Sequence, residues 1–475
     1  MKAQQVQEFT AHARAGSINI EENIHRVFEA IEKSGDYNFF NAIAKEQAIA
    51  KARELNAEAK RGNAKGKLFG LPVSVKDCIC VKGVESRAGS RILEGYSPTF
   101  DATAIEKAKN QGAIIIGKTS QDEFGFGTFS ANIGLGFKRP KNPFDLERSC
   151  GGSSGGSAGI TALAEFAHAS IAESTGGSIA CPASFCGIAG FTPTYGRVSR
   201  YGLIDYANSL DKIGSMGKTV SEAGLLLEAI SGFDRKESTS LDEKLAFEKK
   251  QSVKGMKIGI VKEFFGEGIN QDVSKIVWNA IKKLEKAGAK IKEISLPLNA
   301  KFAVSAYYLI AMAESSTNLA KYCGMRYGMH ENLSGGFNEY FSKVRSNNFG
   351  EEAKRRILLG TFARMSGFRD AYYLRAMKAR TKMINEFKIA FKEFDVLANP
   401  TMPVIAPKFS EIEKLSPIEQ YAMDLCTVPA NLAGLPHLSV NAGSSSGMPV
   451  GIMLTANHLQ EQKIFSAGIA LEAEK

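Results

Sequence analysis

The sequence is poor in the residue types on which several familiar hydrolytic chemistries depend. Six histidines occur in 475 residues, His12, His25, His168, His330, His437 and His458. None stands beside a Gly/Ser motif, so a Ser-His-Asp triad has no evident base. A nucleophile elbow in its strand-turn-helix setting is not found either. The seven cysteines, an odd number with no disulfide-like rhythm, read as reduced thiols of a cytosolic protein. Cys78 and Cys80 lack a second pair or a nearby histidine, so no metal site is expected in this chain. No stretch of 18 apolar residues occurs and Met1 to Thr10 is polar, so neither a membrane span nor a secretory leader is expected. Internal repeats, low-complexity segments and runs of five or six like charges are also missing.

What remains is ordinary globular material, 44% hydrophobic and 23% charged, enough for a large core. The net charge of +10 would attract anionic partners, nucleic acid among them. Its lysines are spread along the chain, which is also what a plain solvated surface gives. Gln4 to about Gly62 reads as a helical N-terminal layer, with one apolar stripe through Ile24, Val27, Phe28 and Ile31 and another through Ala44, Ala48, Ala52 and Leu55. Residues 63–475 read as one extended domain. Leu71 to Cys80 is expected as a strand, Thr103 to Gln111 as a helix and Ala113 to Gly117 as a buried strand. Past a lysine-rich stretch from Asp234 to about Gly255, Met256 to Val261, Val273 to Ala287 and Ile291 to Leu296 form a strand-helix-strand unit. Helices follow over Phe302 to Tyr322 and from Glu351 to Phe394 with breaks at Gly360 and Gly367; Val396 to Ala398, Leu438 to Val440 and Gly451 to Leu454 are further strands. Strand and helix alternating in this way imply an α/β fold with a central mixed sheet flanked by helices.

Two Gly/Ser loops carry the chemistry. Gly151-Gly152-Ser153-Ser154-Gly155-Gly156-Ser157 is followed by Thr175-Gly176-Gly177-Ser178-Ile179. Glycine lets backbone N–H groups approach a ligand, which is how oxyanion holes are made. A phosphate loop fits poorly, because no lysine follows Gly156. A serine nucleophile needs a base. With histidine wanting, Lys76 is a candidate, since it follows the apolar run Leu71-Pro72-Val73-Ser74-Val75 and would emerge partly desolvated at a strand end, where the neutral amine is favoured. It is one lysine among many, and these residues alone do not single it out.

Lys76 through Gly217, with Pro72-Val73-Ser74-Val75-Lys76-Asp77, both loops and Pro182-Ala183-Ser184-Phe185-Cys186-Gly187, resembles the amidase signature family. That resemblance implies the family's fold, with core motifs over 71–217, and a Ser-cisSer-Lys triad. Ser178 would be the nucleophile, Ser153 the bridging serine with its peptide held cis, and Lys76 the base. The oxyanion hole would be formed by the N–H groups of Thr175, Gly176, Gly177 and Ser178.

Within the family the chain is similar to the glutamine-hydrolysing subunits of tRNA-dependent amidotransferases. Gly66 to Gly70, Pro193 to Leu203, Ser209-Leu210-Asp211 and Lys354 to Phe362 carry that likeness. It implies a glutamine site with Arg356 on the α-carboxylate, Asp424 on the α-ammonium and Tyr307 beside it, and Phe126 and Gly127 lining the pocket. It also implies two partner subunits, one a transferase/kinase and the other small. ATP and Mg would act at the partner, misacylated tRNA would be served by the complex, and this chain would need no cofactor or metal and would be cytoplasmic. A stand-alone amidase on small amides and a silent tRNA-binding scaffold are the alternatives. The chain departs from the family pattern before and after the second loop, with Glu173 and Ser174 ahead of Thr175 and Ala180 after Ile179.

Overall fold

The computed structural model describes residues 5–248, 252–333 and 335–473. Gln4 at the head of the helical pattern and residues 249–251 of the lysine-rich stretch fall outside them. Thirteen strands are described: β1 (Phe40–Ile43), β2 (Pro72–Lys76), β3 (Ile114–Thr119), β4 (Lys141–Asn142), β5 (Asp145–Ser149), β6 (Ala169–Ser174), β7 (Ala189–Thr192), β8 (Lys212–Gly217), β9 (Lys257–Val261), β10 (Lys290–Ile294), β11 (Val396–Pro400), β12 (His437–Ser445) and β13 (Met448–Ala456). Eleven of them form one sheet in the order β1-β3-β2-β6-β8-β7-β12-β13-β11-β9-β10, while β4 and β5 pair as a separate hairpin.

The sheet is mixed for a reason visible in its connections. Helix Thr103–Asn110 returns the chain from β2 to a parallel β3, and helix Gln271–Lys286 does the same between β9 and β10. Parallel neighbours need such a crossover. In the middle, β6, β8, β7, β12 and β13 are joined antiparallel. The strands β2, β3, β6, β7, β8, β11 and β13 are buried at every position, so helices cover both faces and side-chain alternation disappears.

Two expectations change. The segment 1–62 is not helical throughout: between helices Ile20–Lys33 and Lys45–Lys60 lies β1, antiparallel to β3 at the sheet edge. Gly360 does not break a helix. Helix Glu351–Arg364 runs through it, and the missing side chain lets helix Pro297–Asn318 come so close that a Cβ there would overlap the Met312 carbonyl. Gly367, at φ +87°, does lie outside a helix. A helix at Phe337–Asn348 and the strands β6, β7 and β8 add to the elements expected from the sequence.

Candidate active site

Sheet order assembles the site. β2 and β6 are parallel neighbours with Val75 opposite Ile171, so Lys76 at the end of one strand meets the end of the other. Ser153 follows the hairpin strand β5, just before helix Gly155–Leu163, and Ser178 sits in the turn after β6. The Ser154 N–H donates to the Ser178 carbonyl at 3.3 Å, laying the two loops side by side. The Gly152–Ser153 peptide bond is cis.

Lys76 is fully buried, and its Nζ donates to Ser153 Oγ at 2.7 Å, to the Glu173 carbonyl at 3.0 Å and to Glu173 Oε2 at 2.8 Å. The expected base is therefore not merely desolvated: a carboxylate lies against it. Ser178 is 6% exposed, and its Oγ makes no hydrogen bond among the described residues. Catalytic hydrogen bonds commonly tighten only when substrate binds. The N–H groups of Gly176, Gly177 and Ser178 likewise donate to nothing among the described residues. Buried N–H groups are seldom left unpaired, so three in succession beside a serine hydroxyl suit a developing oxyanion. The Gly176 carbonyl is held from behind by Asn431 Nδ2. Neither glycine could be replaced cheaply: a Cβ on Gly176 would come within 2.7 Å of the Tyr307 ring, and one on Gly177 within 2.8 Å of Thr427.

Helix Pro297–Asn318 carries Tyr307 onto this turn and Tyr308 past it. The Tyr308 hydroxyl donates to Asp424 Oδ2 at 2.6 Å, and Thr128 Oγ1 donates to Asp424 Oδ1 at 3.0 Å. Burial pushes the Asp424 carboxyl up to about 6, against the pull of these hydroxyls and of Arg356. Arg356 is 2% exposed and so is no part of a solvated helix face. Its guanidinium carbon lies 5.0–5.7 Å from the ring centres of Phe126, Tyr206, Tyr308 and Tyr421. Nε donates to Glu352 Oε1 at 2.7 Å and Nη1 to the Tyr206 hydroxyl at 2.5 Å, while Nη2 has no hydrogen-bond partner among the described residues. Arg356 and Asp424 form no direct ion pair there; Tyr308 lies between them, touching both. Arg355, by contrast, is half-exposed and pairs with the other oxygen of Glu352.

Phe126 is buried with its ring 4.7 Å from Tyr206, forming one wall around Arg356. Gly127 packs on Asp122, so that a Cβ there would collide with its carboxylate. Sequence reasoning missed Tyr206, Tyr308, Glu352 and Tyr421, and noted Glu173 only as a departure. Their proximity comes from three separate helices, the loop ahead of β8 and a strand end, and no linear motif announces it. No cluster of His, Cys, Asp and Glu suited to a metal ion occurs among the described residues, and no helix there is long and apolar enough to cross a membrane.

Comparison with known proteins agrees with this architecture. The family model described as Amidase matches residues 22–465. One glutamyl-tRNA(Gln) amidotransferase subunit, from Methanococcoides burtonii, is 47% identical over 87% of this chain and 86% of its own length. The subunit of the same name from Staphylococcus haemolyticus is 41% identical over 100% of this chain and 98% of its own. Among solved structures, the like-named glutamyl-tRNA(Gln) amidotransferase subunit from Thermotoga maritima is 39% identical with a TM-score of 0.74, covering 86% of this chain and 84% of that one. A peptide amidase from Stenotrophomonas maltophilia superimposes with a TM-score of 0.81 at 25% identity, over 99% of this chain and 96% of that one. With a family match across most of its length, and relatives above 40% identity over nearly all of it, the chain belongs to the amidase family and is an enzyme of that family.

Proposed function

We propose that this chain hydrolyses glutamine as the ammonia-producing subunit of a tRNA-dependent amidotransferase, with Lys76, Ser153 and Ser178 as its catalytic residues. The observation that carries the reading is the Lys76 Nζ to Ser153 Oγ hydrogen bond of 2.7 Å beside the unpaired N–H groups of Gly176, Gly177 and Ser178. Ser178 Oγ attacks the side-chain amide carbon of glutamine as its proton passes to Ser153 and the Ser153 proton passes to Lys76. The oxyanion that forms faces the three N–H groups. On collapse the C–N bond breaks, the proton returns through Ser153 to the leaving nitrogen, and ammonia departs from a glutamyl ester on Ser178. Water, deprotonated by the same path, cleaves the ester to glutamate.

Free glutamine carries one cation and one anion away from its reacting amide. Arg356 would take the α-carboxylate with its unpaired Nη2, since guanidinium grips carboxylate well. Asp424 would take the α-ammonium, and Tyr307 and Phe126 would wall the space between; Gly127 supports this wall through Asp122. The name shared by the relatives supports the wider assignment. Ammonia would pass to a transferase/kinase partner subunit, where ATP and Mg activate misacylated glutamyl-tRNA(Gln) or aspartyl-tRNA(Asn), with a small third subunit completing a cytoplasmic complex. The test is Ser178→Ala in the assembled complex. Glutamine-dependent amidation should fall to background while amidation from free ammonia continues; loss of both, or of neither, would overturn the assignment.

A further inference from the structure

An ammonium group offers three N–H donors, and Lys76 Nζ meets three acceptors: Ser153 Oγ, the Glu173 carbonyl and Glu173 Oε2. To serve as a base the amine gives up one proton, and a lone pair takes the place of one N–H. A carbonyl and a carboxylate have no proton to offer that lone pair. The Ser153 hydroxyl does. Glu173 therefore occupies two N–H groups through its carbonyl and its side chain, and leaves the lone pair directed at the proton it must accept. With the carbonyl alone, the amine could turn about its Cε–Nζ bond.

Glu173 is itself buried and anchored. Its Oε1 accepts from Thr175 Oγ1 at 2.7 Å, and that hydroxyl also lies 2.8 Å from Asp211 Oδ1. Asp211 is held in turn by the N–H groups of Tyr206 and Ala207, which donate to its carboxyl oxygens at 2.9–3.0 Å. Burial, then the charge of Glu173, pushes the Asp211 carboxyl well above its ordinary value. The Thr175 hydroxyl thus bridges the two carboxyl groups, and Glu173 is fixed against Lys76. Thr175 opens the Gly-Gly-Ser turn, so the same chain ties the base to the oxyanion donors.

We propose that Glu173, anchored through Thr175 and Asp211, is a positioning residue that aims the Lys76 lone pair at Ser153 and keeps a carboxyl group against its Nζ. The proposal rests on the assignment of Lys76, Ser153 and Ser178 above. Each turnover moves protons among Ser178, Ser153, Lys76, the leaving nitrogen and the attacking water; Glu173 neither gains nor loses one. Besides Asp211, the ionisable groups facing the pair are Asp122 and Cys78, and Cys78 in turn feels the Asp77–Lys118 pair, 3.8 Å apart. Burial pushes Asp122 up to about 6 and the Cys78 thiol up. Asp122 does not feel Glu173, whereas Cys78 and Asp211 do; both are raised first by burial, which a change at Glu173 leaves in force.

The experiment follows the rate at which the full chain is acylated by a reactive glutamine analogue, by intact mass, as a function of pH. Glu173→Gln keeps an acceptor and removes the charge, so the acid limb should move down by about one pH unit or more, with the plateau lowered by about tenfold at most. Glu173→Asp keeps the charge but withdraws it from contact; its limb should stay near that of wild type and its plateau should fall about tenfold or more. A purely structural role would lower the melting temperature and leave the limb in place. Superimposable profiles for Glu173→Gln would overturn the proposal, and if that variant does not fold, a wild-type plateau for Glu173→Asp would do so. Ser178→Ala and Lys76→Met separate the layers. If both are unlabelled while the Gln profile is unchanged, only the role of Glu173 fails; if either labels at the wild-type rate, the triad assignment fails with it.

Discussion

Replacing Asp424 by asparagine tests the substrate assignment with little disturbance to the fold. The carboxylate accepts from Thr128 Oγ1 and Tyr308 Oη; an asparagine carbonyl keeps one of these bonds, and its amide can donate to the other hydroxyl. What disappears is the negative charge. If glutamine's α-ammonium is paired there in a site this buried, loss of one partner costs roughly 2–5 kcal/mol. At 1.4 kcal/mol per tenfold, KM for glutamine should rise by a factor of about 30 to several thousand. A neutral amide such as propionamide has no ammonium, so its kcat/KM should stay within about threefold of wild type on the same reasoning. Arg356→Ala is a coarser probe, since it strands Glu352, which would keep only the Tyr421 hydroxyl and Arg355. The pH dependence adds a check. Only the ionised Asp424 attracts an ammonium, and its carboxyl is raised to about 6, so wild-type KM for glutamine should climb as pH falls through about 6, whereas the asparagine variant should lack that limb. Steady-state kinetics on both substrates decide the matter: an unchanged glutamine KM in Asp424→Asn would refute the pocket.

Two further changes probe how the fold carries the site. Gly360→Ala would push helix Glu351–Arg364, which bears Arg356, away from the helix bearing Tyr307 and Tyr308; overpacking of this kind costs about 1–3 kcal/mol, and both a lower melting temperature and a higher glutamine KM are expected. A wild-type value of either would show the contact to be looser than described. Lys212, on β8, is buried, its Nζ makes a single hydrogen bond among the described residues, to the Leu435 carbonyl, and burial lowers its amine to about 7. Between pH 7 and 10 the unfolded chain holds this proton more tightly than the folded one, so wild-type stability should rise with pH across that window. Lys212→Met should be more stable than wild type at pH 7 and should lose that part of the slope; an unchanged slope would contradict the buried-lysine account.

Much of this arrangement was legible in the sequence, for reasons that also explain the gaps. The run Ile114-Ile115-Ile116 announces a buried strand because β-branched residues favour one, and the Lys257–Ile294 unit shows its crossover helix through clear periodicity. β6, β7 and β8 lie at the centre of the sheet yet are built largely of Ala, Gly and Ser, with no alternation to betray them because both their faces are covered. Gly360 reads as a breaker by propensity, but close helix packing overrides that cost. Ser153 and Ser178 stand in conspicuous Gly/Ser loops, whereas Lys76 is picked out by the family resemblance and not by its own surroundings in the sequence. The contact of Lys76 with Glu173 exists only once β2 and β6 are neighbours, and Tyr206, Tyr308 and Tyr421 converge on Arg356 from segments more than a hundred residues apart.

The central claim is that a serine, and not a cysteine, attacks the amide. The nearest thiol to argue for is Cys181, three residues beyond Ser178, but its Sγ donates to the Thr128 carbonyl at 3.2 Å and burial pushes its thiol well above the ordinary range, which keeps it protonated and unreactive. Trapping the enzyme with a reactive glutamine analogue, followed by digestion and peptide mass mapping, should place the adduct on Ser178 and show none in Ser178→Ala. An adduct on Cys181, or one that survives the Ser178→Ala change, would contradict the account.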